Sequence, residues 1–466
     1  MMMKNRQHIR KSKKKVKKNR KKAPKASIDD LLKAASAAMA SLDVERAYKS
    51  YFQAASRLQG EKFIASIDKR EEMELLIHVL EKMGECQVSI GDQDLAKDHF
   101  KQSLQLLEEG AKTESIRSTS YYEAHSSLCF YIGQLSLEND ALEAYKEGIR
   151  SLEECLQSVE NESSTAVEQE VVEMQDDSDD ANKKNSSIET LLKQKLSGAY
   201  CNVAELYLTD LCEQDTAESD CEQYLEKALQ LVDSDGEPLV DALQTMASLR
   251  LSQKGRQLEA VPFILRAYEK QRVGSEALAT LVGLKVDEKE FGAGIDETVK
   301  EGDQAKELKE VEAANNLPEF EFRCQTAKLL LECAELLKER SNSMDDSSNN
   351  SDQSDECIVA AISVLGSLLA QNDEVIEIWY LTGCAFAAKK PPLADAARFY
   401  LERAKEMLTD IRKALKEEER FVDDSERSDL EEQLEMNSTQ MNDVQSKLNE
   451  LPDKTEDSAG DKMVED

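Results

Sequence analysis

Apolar residues recur three and four positions apart along most of this chain, the spacing that lines one face of a helix. The pattern holds from Ser27 to about Gln157, from Ser187 to about Gln271 and from Leu317 to about Leu451. Two of these starts carry a helix signature. Ser27-Ile28-Asp29-Asp30 reads as a capping box, in which the first and fourth side chains each bond the other's backbone N–H, and Ser186 to Glu189 reads as a second. Between the periodic stretches the pattern fails. Glu160 to Asp180 holds nine acids and no base, and Arg272 to Asn316 is charged with one short helix expected near Ser275 to Leu284. "SNSMDDSSNNSDQSDE" (Ser341 to Glu356) interrupts the last stretch. Such acidic, aromatic-poor runs read as solvated inserts between helices.

The helical stretches repeat one unit. In "LEKMGECQVSIGDQDLAKDHFKQS", Leu80, Met83, Gly84, Gly91, Ala96, Phe100 and Ser103 occupy the signature positions of a tetratricopeptide hairpin. The register returns at Leu31, Ala34, Ala35, Ala38, Ala47, Tyr51 and Ala54, and again at Ala247, Ser248, Leu251, Gly255, Ala260, Ile264 and Ala267. First-helix signatures also appear at Tyr200, Val203, Ala204 and Tyr207 and at Trp379, Thr382, Gly383 and Phe386. Weaker copies lie at Ile132 to Gly148 and Ala327 to Leu368. Small residues let two helices approach closely, and large ones fill the space between them. The expected fold is therefore all-α, a right-handed superhelical tetratricopeptide solenoid of about six to seven repeats. Its expected parts are a disordered basic arm (1–26), N-terminal repeats (27–157), an acidic insert (158–186) and central repeats (187–271). A charged linker (272–316), C-terminal repeats with an acidic loop (317–408, loop 341–356), C-terminal helices (409–451) and an acidic tail (452–466) complete it.

Composition supports this reading and adds a polarity. Gly and Pro make only 24 of 466 residues, which suits helix nearly throughout. The longest nearly apolar run, Ile358 to Ala370, has thirteen residues, short of the roughly 20 that a membrane span needs. No membrane partner is expected. No apolar stretch follows the basic start as a secretory signal would require, and ten scattered Cys fit reduced thiols in the cytoplasm or nucleus. The net charge of -34 divides unevenly: thirteen Lys or Arg and no acid fall in residues 1–25, which leaves 47 basic against 94 acidic residues beyond them. In the arm, Lys13, Lys14, Lys15, Lys17, Lys18, Arg20, Lys21 and Lys22 form the kind of run that a nuclear import receptor reads. Shuttling between cytoplasm and nucleus is expected, with the nucleolus as a further address. The acidic body lacks the positive footprint that nucleic acid requires, but it attracts a basic protein.

Catalytic chemistry is not legible. The four His residues show no i, i+4 pair for a metal, and there is no C-x-x-C. Cys201, Cys212 and Cys221 fall at helical packing positions and read as small buried hydrophobes. No phosphate cradle occurs, and "FGAGID" is a lone glycine pair without a preceding strand. Neither an enzyme nor a cofactor is expected. What remains is the inner face of a solenoid, where extended segments bind. First-helix positions lining it hold Glu81, Glu85, Tyr131, Asn202, Glu205, Met246, Glu377 and Tyr380. A clamp for a terminal carboxylate needs Lys and Asn there, but the key position holds Leu32, Glu81, Phe130, Cys201, Thr245 and Tyr380 in successive repeats. Carboxylates interleaved with aromatics instead suit a Lys- and Arg-rich segment. The plainer alternative is a set of solvated Glu residues on an open face.

"YCNVAELYLTDLC" (Tyr200 to Cys212), "DALQTMASLRLSQ" (Asp241 to Gln253) and "EIWYLTGCAFAAKKPPLADAARFYLERAKEML" (Glu377 to Leu408) resemble the dedicated assembly chaperones of large-subunit ribosomal protein four, a eukaryotic tetratricopeptide family. The resemblance implies binding of that protein's long basic internal loop, shielding of the loop, and escort into the nucleus for large-subunit assembly. It carries Asn202, Glu205 and Asp210 over as client contacts, with Met246 and Arg250 beside them. It covers 187–270 and 317–408 well and 27–157 more loosely. The acidic insert, the 272–316 segment and the basic arm depart from the family pattern. A histone chaperone, or another adaptor of a basic protein, stays open as an alternative. A scaffold linking chaperones would need the clamp residues that are absent.

Overall fold

The hydroxyl of Ser27 accepts the Asp30 N–H at 3.1 Å while the Asp30 carboxylate accepts the Ser27 N–H at 3.0 Å, the reciprocal capping box expected at the first helix. From there the computed structural model describes residues 26–59, 69–112, 118–170, 179–233, 235–281, 311–343, 347–420 and 427–452. The helices are α1 (Ile28–Ala40), α2 (Val44–Leu58), α3 (Lys69–Ile90), α4 (Gln93–Ala111), α5 (Thr119–Gln134), α6 (Glu138–Glu170), α7 (Asp179–Leu208) and α8 (Ala217–Gln230). They continue as α9 (Val240–Ser252), a 3-10 turn (Gln257–Glu259), α10 (Ala260–Leu281), α11 (Phe320–Ser343), α12 (Ser347–Gln371), α13 (Ile376–Ala388), α14 (Ala394–Glu418) and α15 (Arg427–Glu450). The pairs α1/α2, α3/α4, α5/α6, α9/α10, α11/α12 and α13/α14 pack as helical hairpins, with no strand among the described residues. The architecture is an all-α array of helical repeats, divided into a unit ending at Ala199 and a unit beginning at Tyr200.

In the first unit, Leu31, Ala35, Ala47 and Tyr51 of α1 and α2 share a core with Val79, Leu80 and Met83 of α3. Gly84 lets α4 approach: a Cβ there would stand 2.6 Å from the Phe100 ring. Tyr131 of α5 then stacks on Phe100 with ring centroids 4.6 Å apart. In the second unit, Leu243, Ala247 and Ile264 join Leu330, Ile358, Leu365 and Phe386 in one continuous core. A Cβ on Gly383 would meet Leu401 at 2.6 Å, so α13 and α14 touch as α3 and α4 do. Val444 and Leu448 of α15 cover Leu401, Ala404 and Leu408.

Several expectations need correction. The acidic stretch 341–356 is largely helix, since α11 runs to Ser343 and α12 starts at Ser347. Its Ser354 is buried and donates to the Ala334 carbonyl at 2.9 Å. Packing of Ser354, Cys357, Ile358 and Ala361 at helical spacing outweighs the poor helix propensity of Ser, Asn and Asp. Asn350–Gln371 of this helix also reaches the length and apolarity of a membrane span, more than the thirteen-residue run implied. Its burial against α10, α11 and α13 accounts for that apolarity. Helix extends into the acidic insert from both sides, through Glu170 and from Asp179, so Ser186 lies inside α7 rather than at its start. Extending a packed helix adds one hydrogen bond per residue without a new nucleus. The linker begins later than expected, because α10 continues to Leu281 with Gln271, Ser275 and Ala279 buried. The basic arm to residue 25, residues 171–178, 282–310 and the tail 453–466 lie outside the described residues.

Candidate partner-binding surfaces

In the first unit α3 carries Glu81, Lys82 and Glu85, and α5 brings Tyr131 beside them. Lys82 Nζ donates to both Glu85 carboxylate oxygens, at 2.7 and 2.8 Å. Glu81 is half-buried and has no side-chain hydrogen bond or ion pair among the described residues. Burial pushes its carboxyl above the usual range, with Glu85 adding to the effect and Lys82 and His78 opposing it. Burial likewise raises the Tyr131 phenol, reinforced by both glutamates. Three expected contact residues therefore meet around Lys82, which sequence reading passed over although it adjoins Glu81. The two glutamates differ: Glu85 is neutralised by its neighbour, and Glu81 is not.

In the second unit, the last turns of α7 present Asn202 and Glu205, and the first turn of α9 presents Asp241. Burial raises the Glu205 carboxyl, and the charge on Asp241 raises it further. Burial alone raises Asp241, which is half-buried, while Glu205 itself is exposed. Water reaches the Glu205 side chain, so protein crowds its carboxyl from one side only and the penalty is partial. Neither carboxylate has a side-chain hydrogen bond or ion pair among the described residues. The result is a pair of mutually repelling acids without a counterion among those residues. Sequence reading missed Asp241 because an acid in a first helical turn has an ordinary explanation in the helix dipole. Its signal was the register that sets α9 beside α7. Asp210 is exposed in the turn after α7, off the helix that carries Glu205.

Met246 and Arg250 do not belong to an open surface. Met246 is 1% exposed and Arg250 6%. Arg250 Nη2 donates to Glu222 at 2.6 Å and Nη1 to Gln253 at 2.7 Å, and Nε lies 3.3 Å from Glu259. Arg256 bridges the same two glutamates, and Gln253 donates to Glu218 at 2.7 Å. This network joins α8, α9 and the 3-10 turn. Because α9 is packed along most of its circumference, residues that a one-faced helix would show to a partner are covered. Arg250 holds the Glu222 carboxyl below the usual range, against the opposing effect of burial.

Glu377 pairs with Lys328 at 2.8 Å. Tyr380 lines a cleft of about 590 Å³ between α11, α13 and α15, and burial holds its hydroxyl well above the usual phenol range. Among the thiols Cys212 is exposed, contrary to expectation, and Cys384 is half-buried, while the other eight are buried. Burial pushes Cys129, Cys221 and Cys357 up to about 12, far from thiolate chemistry. Among the described residues no three His, Cys, Asp or Glu side chains gather as metal ligands.

No family model matches this chain. A curated relative from Schizosaccharomyces pombe, named "Probable assembly chaperone of rpl4", is 30% identical over 175 residues. That match spans 37% of this chain and 40% of the relative, so the chain covers less than half the length of the relative it matches. Among solved structures, the S. pombe nuclear import adaptor Nro1 aligns over 79% of this chain and 99% of its own, with a TM-score of 0.39 and 11% identity. A monomeric mutant of IFIT1 aligns over 92% of this chain and 90% of its own, with a TM-score of 0.26 and 11% identity. The chain is an all-α helical-repeat protein, similar over part of its sequence to that assembly chaperone.

Proposed function

We propose that this protein is a chaperone of a newly made basic ribosomal protein, large-subunit protein four. It holds that protein's extended basic loop, keeps it soluble and escorts it into the nucleus for large-subunit assembly. Supporting this is the Glu205 and Asp241 pair, an exposed and a half-buried carboxylate of which the second raises the first, with no cation bound to either among the described residues. A Lys or Arg side chain placed between them removes their repulsion and supplies charge-assisted hydrogen bonds. Asn202 stands one turn before Glu205 and offers an amide to the client backbone, while Asp210 extends the acidic edge. In the first unit Glu81, with Tyr131 beside it, is a further contact; in the second unit Tyr380 and Glu377, the latter already paired with Lys328, are others. Partial identity to a relative named for rpl4 assembly supports the choice of client. The excess of acid beyond residue 25 speeds encounter with a basic loop within a Debye length of about 8 Å. The basic run at Lys13 to Lys22 engages an import receptor. No cofactor takes part, and the reading requires no catalytic step.

The test is affinity capture of the full chain from its native cells, with quantitative mass spectrometry. Ribosomal protein four should be enriched above other ribosomal proteins, and the enrichment should fall when Glu205→Lys and Asp241→Lys are introduced together. Histones enriched in its place would replace the ribosomal client with a histone one.

A further inference from the structure

The first unit contains a cleft of about 670 Å³ between α3, α4 and α5. Its floor includes Met73 and Ile77 of α3, Leu107 of α4, and Tyr121 and Ala124 of α5, and Glu81 stands at its rim. Among the rim charges, Glu74 is engaged by Arg70 at 3.0 Å. Glu81 has no such partner among the described residues, and burial disfavours its charged form. The cleft, which His78 also lines, thus offers apolar surface next to a carboxylate that no hydrogen bond or ion pair engages among the described residues, although the Lys82 and His78 charges act on it, and that combination specifies what fits.

Met73, Ile77 and Glu81 are four residues apart and form one stripe along α3. At about 1.5 Å rise per residue, Ile77 and Glu81 are separated by roughly 6 Å along the axis. An extended peptide advances about 3.3 Å per residue and turns alternate side chains to the same side. Two side chains on one side, two residues apart, therefore span the distance from Ile77 to Glu81. We infer that this cleft binds an extended basic segment through an apolar-x-(Lys/Arg) element. The apolar side chain enters over Ile77 and Leu107, and the cation pairs with Glu81. The inference rests on the reading of this chain as a binder of basic segments, and it adds a side-chain preference that net charge does not supply.

The probe is a pair of synthetic Lys/Arg-rich peptides that differ only in a central Leu or Ser two residues before a Lys. Each is measured by fluorescence anisotropy against the full chain, and the Leu peptide is also made with photo-leucine for cross-linking. The Leu peptide should bind about 10-fold or more tightly than the Ser peptide. Photo-leucine should label α3, α4 or α5 at the cleft. Ala124→Phe, which fills the cleft, should erase the Leu advantage, whereas Glu81→Gln should weaken both peptides and keep their ratio. Thermal melting of each variant checks its fold, and the two-peptide comparison on the unmodified chain stands if a variant fails. Equal binding of both peptides, or labelling confined to other helices, overturns the cleft while leaving basic-segment binding intact. No binding of either peptide overturns both.

Discussion

Replacing Glu205 and Asp241 together by Gln and Asn separates a binding site from a structural one, because stability and affinity should move in opposite directions. In the free protein both carboxyls lie above their reference values of 4.5 and 3.8. The folded state thus binds these protons more tightly than the unfolded state does. Their contribution to stability therefore falls as pH rises through the raised folded values, and at pH 7 the full penalty of two crowded charges is present. A tenfold difference in proton affinity between the two states is worth about 1.4 kcal/mol, but water reaches Glu205, so the gain on neutralising the pair is discounted to less than about 1 kcal/mol. For a unit of this size that is a rise in Tm of about 2–4 °C or less. The same change removes a charge-assisted contact with the client. Exposed pairs contribute up to about 1 kcal/mol and hydrogen bonds to charged groups about 1.5–3. A half-exposed site should thus lose about 1–2 kcal/mol, roughly 5- to 30-fold in Kd. Differential scanning fluorimetry at pH 7 and at pH 4, with anisotropy of a labelled basic loop peptide, measures both. The Tm gain should shrink toward pH 4. A lower Tm with unchanged affinity would make the two acids structural and exclude them from client binding.

Further outcomes follow from the packing. Arg250→Met removes the buried guanidinium that bonds Glu222 and Gln253 but leaves both glutamates paired with Arg256, and should cost about 1–3 kcal/mol, measured by urea unfolding. Because the Glu222 carboxyl is depressed in the folded state, its contribution is present above the unfolded value near 4.5 and lost as pH falls through the folded one. The variant should therefore lose less Tm than the parent on acidification below about pH 4.5. Gly84→Ala forces a Cβ to 2.6 Å from Phe100 and should destabilise by about 1–3 kcal/mol, despite the better helix propensity of Ala. Deleting residues 1–25 from a fluorescent fusion should reduce its nuclear accumulation in cells depleted of the client, and an unchanged distribution would place the targeting signal elsewhere.

The features legible in the sequence are those whose physics is local. The Ser27 and Asp30 cap needs only four residues, and the alternation of Gly84 with Phe100 announces a close helix pair because no larger residue fits there. The acidic stretch at 341–356 misled because its composition argues against helix. Ser354, Cys357 and Ile358 nonetheless have partners on α11 that no local window shows. Arg250 misled for a related reason. A cation on a repeat helix looks available until α8 and the 3-10 turn are seen to surround it with Glu222 and Glu259. Glu205 was proposed both from its register on a first helix and from the family resemblance. Asp241 was not proposed, since its effect is on a neighbour more than thirty residues away whose carboxyl it raises in concert with burial.

The central claim, that this acidic repeat array holds a basic loop of ribosomal protein four, is tested most directly by binding that protein with and without the loop to the full chain. Isothermal titration at physiological ionic strength should show a saturable complex with the intact protein, weakened by added salt and by the Glu205 and Asp241 substitutions, and no complex when the loop is removed. Equal binding of the loop-deleted protein, or binding indifferent to both substitutions, would contradict the account.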